Sequence, residues 1–448
     1  MSVISGTDRA VRRGCRAAAL CALFFAVCAL AFPSSVVLGD EQFELYLPLL
    51  YGKRTALFSN HTGICGDRYT VPGGTAVAAV ASEVTAGVPF GTAADGRAVE
   101  YGEHILDALI ARGVQVTVVF SPEHGFRGTQ DAGLSVHDEV DARTGIPLVS
   151  LYGSAMHVPD AAAMDMFDTL VVDIQDVGLR YYTYYITLYH LMDACAAAGK
   201  NVIILDRPNP NGFYVDGPVL RDGYESGVGM FPMPTVYGMT LGELACMING
   251  EGWLTAGRNA CELTVIPCKN YTHRTRYAVI RAPSPNLKSM RAVYLYASVC
   301  FFENTAVSPG RGTMYPFELY GSPVFKDVPG WDFSFVPRSI QGALNPPFKG
   351  QTCWGRDLRG VPVEVILERG VDPSYVVDAY HACPEMQKSS FFGRPDRKGR
   401  YWIDLLSGSD ELRTQITAGA DARTIKESWQ ADLAQFRARR RPYLLYEE

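Results

Sequence analysis

Thr169-Leu-Val-Val172 runs without a break into Asp173-Ile-Gln-Asp-Val-Gly-Leu-Arg180-Tyr-Tyr-Thr-Tyr-Tyr185. A short, continuous apolar run bounded by turn residues is the pattern of a strand buried on both faces. Two carboxylates, an amide, a guanidinium and four tyrosines follow it, a load with no packing purpose where a strand leaves a core. Polar groups gathered at one end of a strand suit a polar ligand, and aromatic rings beside carboxylates suit a sugar.

The arrangement recurs along the first half. Thr55-Ala-Leu-Phe58 leads into Ser59-Asn60-His61, Val114-Gln-Val-Thr-Val-Val-Phe120 into Ser121-Pro-Glu123-His124, and Val202-Ile-Ile-Leu205 into Asp206-Arg207-Pro-Asn209. Between these runs lie helical stretches at 103–112, with Ile105, Leu106, Leu109 and Ile110 on one face, and at 188–198. Strands alternating with helices imply an α/β fold with a doubly wound, mostly parallel sheet. In such sheets the ligand crevice lies outside the carboxyl ends of the strands, which is where these polar clusters fall.

With 448 residues, 48% of them apolar and 20% charged, the chain is an ordinary globular protein long enough for two domains. A formal charge of −6 gives no reason to expect a nucleic-acid partner. Arg9, Arg12, Arg13 and Arg16 precede an apolar run at 17–32, and Ala29-Leu30-Ala31 offers an A-x-A cleavage site. Residues 1–31 therefore read as an export signal and the protein as exported and periplasmic. The competing reading is an uncleaved membrane anchor, but the run is shorter than the ~20 residues that span a bilayer. Three of the eleven cysteines lie in that segment and the rest are scattered without C-x-x-C spacing. Cys195, Cys246 and Cys300 read as small buried hydrophobes.

Domain boundaries are drawn at 41–258 for the wound sheet and 259–448 for a second, smaller α/β domain. Residues 219–233 read as an irregular excursion, and Thr240-Leu-Gly-Glu243 as a capping box opening a helix. In the second half, Leu263-Thr-Val-Ile266 and Val361-Pro-Val-Glu-Val-Ile366 read as alternating strands. A helix should begin at Asp372, with Pro373 in its first position, and run to about Ala382. A last helix at 421–440 carries Ile425, Trp429, Leu433 and Phe436 at helical spacing, a core-packing stripe.

Leu57-Phe-Ser-Asn-His-Thr-Gly63, Ser121-Pro-Glu-His-Gly-Phe-Arg-Gly128, Asp173-Ile-Gln-Asp-Val-Gly178, Leu205-Asp-Arg-Pro-Asn-Pro210, Gly238-Met-Thr-Leu-Gly-Glu243, Pro283-Ser-Pro-Asn286, Gly310-Arg-Gly-Thr313 and Tyr443-Leu-Leu-Tyr446 occur in this order. Together they resemble the DUF1343 family, whose characterised members are exo-β-N-acetylmuramidases of the NamZ type. The resemblance runs from about residue 45 to the C-terminus. It implies a Rossmann-like domain followed by a smaller C-terminal domain. It also implies removal of terminal N-acetylmuramic acid from the non-reducing end of peptidoglycan fragments. The chain departs from the family pattern where Val236-Tyr237 replaces an Arg-His pair, and where Ala306 and Pro309 replace an Asn and a Glu. These departures motivate an alternative reading, a non-catalytic or altered-specificity binder of wall glycans.

Glycoside hydrolysis assigns roles to the residues. The leaving oxygen is poorly basic, so one protonated carboxyl must donate to it while a second group stabilises or attacks the oxocarbenium-like centre. Glu123 is the acid, with Phe120 and Phe126 available to desolvate it and raise its pKa; its structural alternative is a helix carboxylate paired with Arg127. Asp173 and Asp176 compete for the second role, and Arg180 could pair with either. Asp206 with Arg207 reads equally as a sugar clamp or a loop-fixing ion pair. If the tyrosine segment is extended, alternate rings face opposite sides, and Tyr182 and Tyr184 are chosen for the crevice. His61 and His124 join the substrate contacts. Asn60, Asn209, Asn286 and Arg311 are assigned to hydroxyl, acetamido or lactyl groups. Arg311 matches a lactyl carboxylate by its forked donors, or else anchors its own glycine-rich loop. Glu303 and Glu318 are outside candidates across the cleft.

A metal reading through His61, His124, Asp173 and Asp206 is weaker, because no His pair has i, i+4 spacing. No G-x-G-x-x-G or G-x-x-x-x-G-K-[ST] follows a strand, and no G-x-S-x-G elbow occurs. Neither metal nor cofactor is expected. Export with cleavage after Ala31 predicts a mature chain that begins at Phe32. Terminal mass spectrometry of the native protein checks this, and an intact Met1 or Ser2 terminus would contradict it.

Overall fold

Apolar runs become the strands of one central sheet: β1 (Arg54–Ser59), β2 (Gln115–Ser121), β3 (Glu139–Val140), β4 (Pro147–Ser150), β5 (Thr169–Asp173), β6 (Asn201–Leu205) and β7 (Glu262–Ile266). The computed structural model describes residues 35–70, 76–78, 89–92, 98–122, 126, 139–151, 158–255 and 260–448. The export segment, Glu123, His124 and Arg127 lie outside the described residues.

The spatial order is β7-β6-β5-β1-β2-β4-β3, and every neighbouring pair is parallel except the short edge strand β3 against β4. Numbered along the chain, the parallel strands lie in the order 6-5-4-1-2-3, so the winding reverses between β1 and β5. That is the winding of the Rossmann fold, whose ligand crevice opens at the reversal. Here the reversal sets Ser59 beside Asp173 in register.

Both faces of the sheet are covered, which is why its inner strands read as unbroken apolar runs. Ala56, Phe58, Val118, Phe120, Leu170, Val172, Val202 and Ile204 pack on one side with helices α2 (Tyr184–Ala198) and α3 (Leu241–Gly250). The alternate residues Leu57, Val119, Val171, Ile203 and Leu205 pack on the other with helix α1 (Ile105–Ala111). Of the expected α1 face, Ile105, Leu106 and Leu109 are buried, while Ile110 is exposed.

The run Leu263-Thr-Val-Ile266, expected to open the second domain, is instead part of β7, paired in parallel with β6. Its alternation reflects an edge position: Glu262 and Thr264 are exposed while Ile266 is buried. The wound sheet therefore extends past residue 258. Beyond it, Leu319–Ser322, Cys353–Asp357 and Phe333–Phe335 form a small antiparallel sheet packed among helices. The expected strand at 361–366 is a second correction. Pro362 precedes a helix, Val363–Arg369, which buries Val363 and Ile366 at a helical spacing of three. The capping box of Thr240 and Glu243 forms. Asp372 caps the helix Ser374–Ala382 by accepting from the Ser374 amide at 2.9 Å. The last helix breaks at Trp429 into Ala422–Ser428 and Gln430–Arg440, yet Ile425, Trp429, Leu433 and Phe436 are all buried.

Arg180 ties this second region to the first. Its Nη1 donates to the carbonyls of Pro218 (2.8 Å) and Met233 (2.5 Å), and its Nη2 to that of Leu406 (2.8 Å). It is fully buried, and desolvation pulls its pKa down to about 10. The expected substrate contact is therefore a structural cation that satisfies backbone acceptors no water can reach. Losing a buried hydrogen-bond partner costs about 1–3 kcal/mol per group, so Arg180→Met should lower the unfolding free energy by about 3 kcal/mol or more. Chemical denaturation measures this, and a change under about 1 kcal/mol would contradict it.

Candidate active site

The polar residues at the strand ends bind one another. After β1, Asn60 turns the chain: its Oδ1 accepts from the Thr62 amide (2.9 Å) and hydroxyl (2.6 Å), and its Nδ2 donates to the Tyr184 hydroxyl (2.9 Å). After β5, the Gln175 amide donates to Thr62 Oγ1 (3.0 Å), and Gln175 Nε2 donates to the Pro208 carbonyl (2.8 Å) in the loop after β6. Arg207 completes the lattice. Its Nε donates to Asp173 Oδ1 (2.6 Å), and its Nη2 to Asp173 Oδ2 (3.1 Å) and Asp40 Oδ2 (2.7 Å). These three side chains are no more than 1% exposed.

Asp206 therefore does not pair with Arg207. Its Oδ2 accepts from Thr240 Oγ1 (2.6 Å) and the Tyr446 hydroxyl (2.5 Å), and its Oδ1 from the Gly242 amide (2.9 Å). It pins the start of α3 and the C-terminal tail beneath the sheet edge, and burial pushes its carboxyl up to about 6. Neither of its expected roles, clamp or ion pair, survives these commitments.

Asp176 caps its own loop. Oδ1 accepts from the Gly178 amide (2.6 Å) and the Tyr237 hydroxyl (2.7 Å), while Oδ2 has no hydrogen-bond partner among the described residues. Burial pushes this carboxyl up to about 6 as well. Gly178 holds φ at 72°, and a Cβ there would come within 2.1 Å of the Asn209 amide. Asn209 is itself engaged, with Oδ1 accepting from the Asn211 amide and Nδ2 donating to the Met239 carbonyl, each at 2.8 Å. Asn60, Asp173 and Asn209, expected to face ligand, thus face the protein.

A cavity of about 420 Å³ opens at the end of β1, within the ~300–1,000 Å³ range of small-molecule sites. Its polar lining includes His61, Tyr101, Arg281, Ser284, Lys288 and Gln341, and its apolar lining includes Phe90, Pro285, Met314 and Ile340. Of the expected contacts, His61 is here, its Nε2 2.8 Å from the Ala282 carbonyl oxygen. Tyr182 and Tyr184 lie behind the wall. Their hydroxyls donate to the Pro283 carbonyl at 2.7 and 3.0 Å, pegging the segment 281–288 over the sheet. The tyrosine stretch is not extended, because Tyr184 opens α2, so the alternate-face reading does not hold.

A neighbouring pocket of about 60 Å³ is lined by Tyr182, Tyr184, Asn286, Tyr296, Arg311 and Phe317, with room for little more than a few waters. Arg311 stacks over the Phe317 ring at 5.1 Å and donates from Nε to Glu303 Oε1 at 2.5 Å. Asn286 Nδ2 donates to the Gly342 carbonyl at 2.7 Å, and Glu318 accepts from Ser289 Oγ at 2.6 Å. Arg311 and Glu303 thus neutralise each other beside the cavity. Among the described residues no three His, Cys, Asp or Glu side chains gather as a metal site.

The departures from the family pattern fall in packing. Tyr237 and Val236 are fully buried, the Ala306 amide donates to the Phe391 carbonyl, and the Pro309 carbonyl accepts from the Phe317 amide. None of the four lines the cavity. Arg281 and Lys288 do line it, and the reading of the sequence missed them. The available signal was their position flanking Pro283-Ser-Pro-Asn286, a loop motif already singled out.

Residues 92–291 match the family model described as exo-beta-N-acetylmuramidase NamZ, N-terminal, and residues 294–446 match its C-terminal counterpart. The chain is 33% identical over 352 residues, 74% of its length and 80% of the relative's, to the peptidoglycan beta-N-acetylmuramidase NamZ of Bacillus subtilis (strain 168). Crystal structures of two DUF1343 family proteins from Bacteroides fragilis NCTC 9343 have similar folds. One has a TM-score of 0.75 at 44% identity, covering 93% of this chain and 100% of that one. The other has a TM-score of 0.67 at 26% identity, covering 92% and 99%.

The raised pKa of Asp176 has a consequence for stability. Folding favours its protonated form, so its contribution is fully present below the ordinary carboxyl value of 3.8 and is lost as pH rises through about 6. Asp176→Asn cannot ionise. Its stability relative to wild type should grow between about pH 4 and pH 7, by on the order of 2 kcal/mol. Urea denaturation across that range checks this, and a difference independent of pH would contradict it.

Proposed function

The chain belongs to the exo-beta-N-acetylmuramidase NamZ family and is a glycosidase, and we propose that it releases terminal N-acetylmuramic acid from the non-reducing end of peptidoglycan fragments. The observation that carries this reading is the cavity beside His61, at the end of β1. Aromatic and aliphatic side chains from Phe90, Tyr101 and Met314 offer surfaces for sugar C–H faces. Polar groups from His61, Ser284 and Gln341 sit among them for the hydroxyls.

Glu123 supplies the proton to the leaving oxygen. In the chain it follows the end of β2 by two residues, and β2 is the strand beside β1. Phe126, three residues further on, is buried edge-on against His104 at 4.9 Å. Asp173 and Asp176, the two candidates for the second carboxylate, are both turned to the protein, Asp173 on Arg207 and Asp176 on the Gly178 amide and the Tyr237 hydroxyl, so the proposal rests on Glu123. The arginine-rich N-terminus supports export, into the compartment that holds such a substrate.

Release of a chromophore from a 4-nitrophenyl N-acetylmuramide by the purified protein tests the reading. Glu123→Gln should keep its fold while the rate falls by about 10²–10⁴-fold, the usual worth of acid–base assistance. Substrates with better leaving groups need less protonation and should lose less. An unfolded variant, or one that turns over at the wild-type rate, removes Glu123 from the mechanism. A wild-type protein that binds muramides without cleaving them identifies a glycan binder instead.

A further inference from the structure

We propose that Lys288, with Arg281 beside it, is the carboxylate-recognition element of the cavity and makes it select a muramic residue whose lactyl group is a free acid; this rests on the function proposed above. Lys288 lines the cavity with its ammonium among the polar groups of the wall, and a carboxylate is the ligand group that an ammonium binds best.

Lys288 is built into this wall. Its carbonyl accepts from the Phe90 amide at 2.8 Å, and the next residue, Ser289, caps the helix Met290–Val299 by accepting from the Ala292 amide at 3.0 Å. The backbone that presents the ammonium is thus held at both ends, as a precise binding group requires. The ammonium itself is under-used. It carries three donors, and its hydrogen bond among the described residues is a long one, 3.5 Å to the Thr313 carbonyl. The side chain is half-buried, and desolvation pulls its pKa down. A carboxylate brought against it replaces the missing water, and in these surroundings the attraction is stronger than at an open surface. Arg281 stacks over the Tyr101 ring at 4.7 Å on the same cavity lining.

Arg311, which the sequence suggested for this role, fits it less well. Glu303 already neutralises it at 2.5 Å, and it lines the pocket of about 60 Å³ rather than the large cavity. The large cavity offers apolar groups beside its cations, among them Met314, Pro285 and Ile340. A lactyl ether presents a methyl group and a carboxylate together, which matches that mixture. A peptide amide on the lactyl group removes the charge, and a glucosamine lacks the whole substituent. Both should be disfavoured.

Calorimetric titration with N-acetylmuramic acid and with N-acetylglucosamine reads the site without turnover. The wild-type protein should bind the acid about 10–100-fold more tightly, the worth of a charge-assisted hydrogen bond. Lys288→Met should lose that margin and Lys288→Arg should retain most of it, with melting temperatures confirming that both fold. In the chromogenic assay the ratio of kcat/KM for the free acid over its lactyl methyl amide should fall in Lys288→Met by a similar factor. Equal affinity of the wild-type protein for the two sugars, no binding of the acid, or a margin unchanged in Lys288→Met overturns the proposal. A wild-type protein that binds the acid selectively but releases no product overturns the hydrolase reading and leaves the recognition element standing.

Discussion

Arg207 sits where the carboxyl ends of β5 and β6 meet the N-terminal turn, with Asp173 on one side and Asp40 on the other. A guanidinium buried there is tolerable only because its donors are matched by carboxylates. Removing one partner of such a cluster leaves an uncompensated charge, at a cost of roughly 3–5 kcal/mol. The geometry of the site depends on this cluster. Asp173 lies in register with Ser59 across the winding reversal, so the loops after β1 and β5 leave the sheet from a common fixed point. Thr62, Gln175 and Pro208 carry the constraint across three strand ends, and Asn60 passes it through Tyr184 to Pro283.

Two layers of polar residues therefore divide the work. The inner layer holds backbone in place: Asp173, Asp176, Asp206, Asn60, Asn209 and Arg180 are all satisfied wholly or in part by protein groups. The outer layer meets solvent and ligand, and apart from His61 and Tyr101 it comes from segments far along the chain. The ring of His61 and the carbonyl of Ala282 join positions separated by 221 residues. A rigid floor beneath a wall built from long-range contacts places a ligand more accurately than mobile loops could.

This division explains what could be read in the chain and what could not. The wound sheet was legible because burial on both faces writes itself into every residue of Thr55-Ala-Leu-Phe58 and its counterparts. The C-terminal helical stripe was legible for the same reason, since Ile425, Trp429, Leu433 and Phe436 repeat at the helical period. The run at 361–366 failed because valines two apart satisfy a strand pattern, while burial of Val363 and Ile366 obeys a helical one. The run at 263–266 failed differently: it is a strand, but nothing local says which sheet it joins. Polar clusters at strand ends gather at the carboxyl edge of the sheet. Which members turn inward is decided by partners elsewhere in the chain, as Asp173 is by Arg207, 34 residues on. For Lys288 the one local signal was its place beside Pro283-Ser-Pro-Asn286, and its residue type added nothing, because a lysine after a proline-rich turn resembles any solvated lysine.

The chain also offers a larger concavity away from the strand ends, a groove of about 510 Å³ lined in part by Leu220, Arg221, Asp432 and Arg439. Arg221 there is already paired with Asp432 at 2.7 Å, so its charges are largely spent on each other. A crystal structure of the protein with N-acetylmuramic acid distinguishes the two places. The expected result is a sugar seated in the cavity at the end of β1, between His61 and Lys288, with its carboxylate on the lysine ammonium. A sugar bound in the groove beside Asp432, with the β1 cavity left to solvent, would contradict the assignment of the active site.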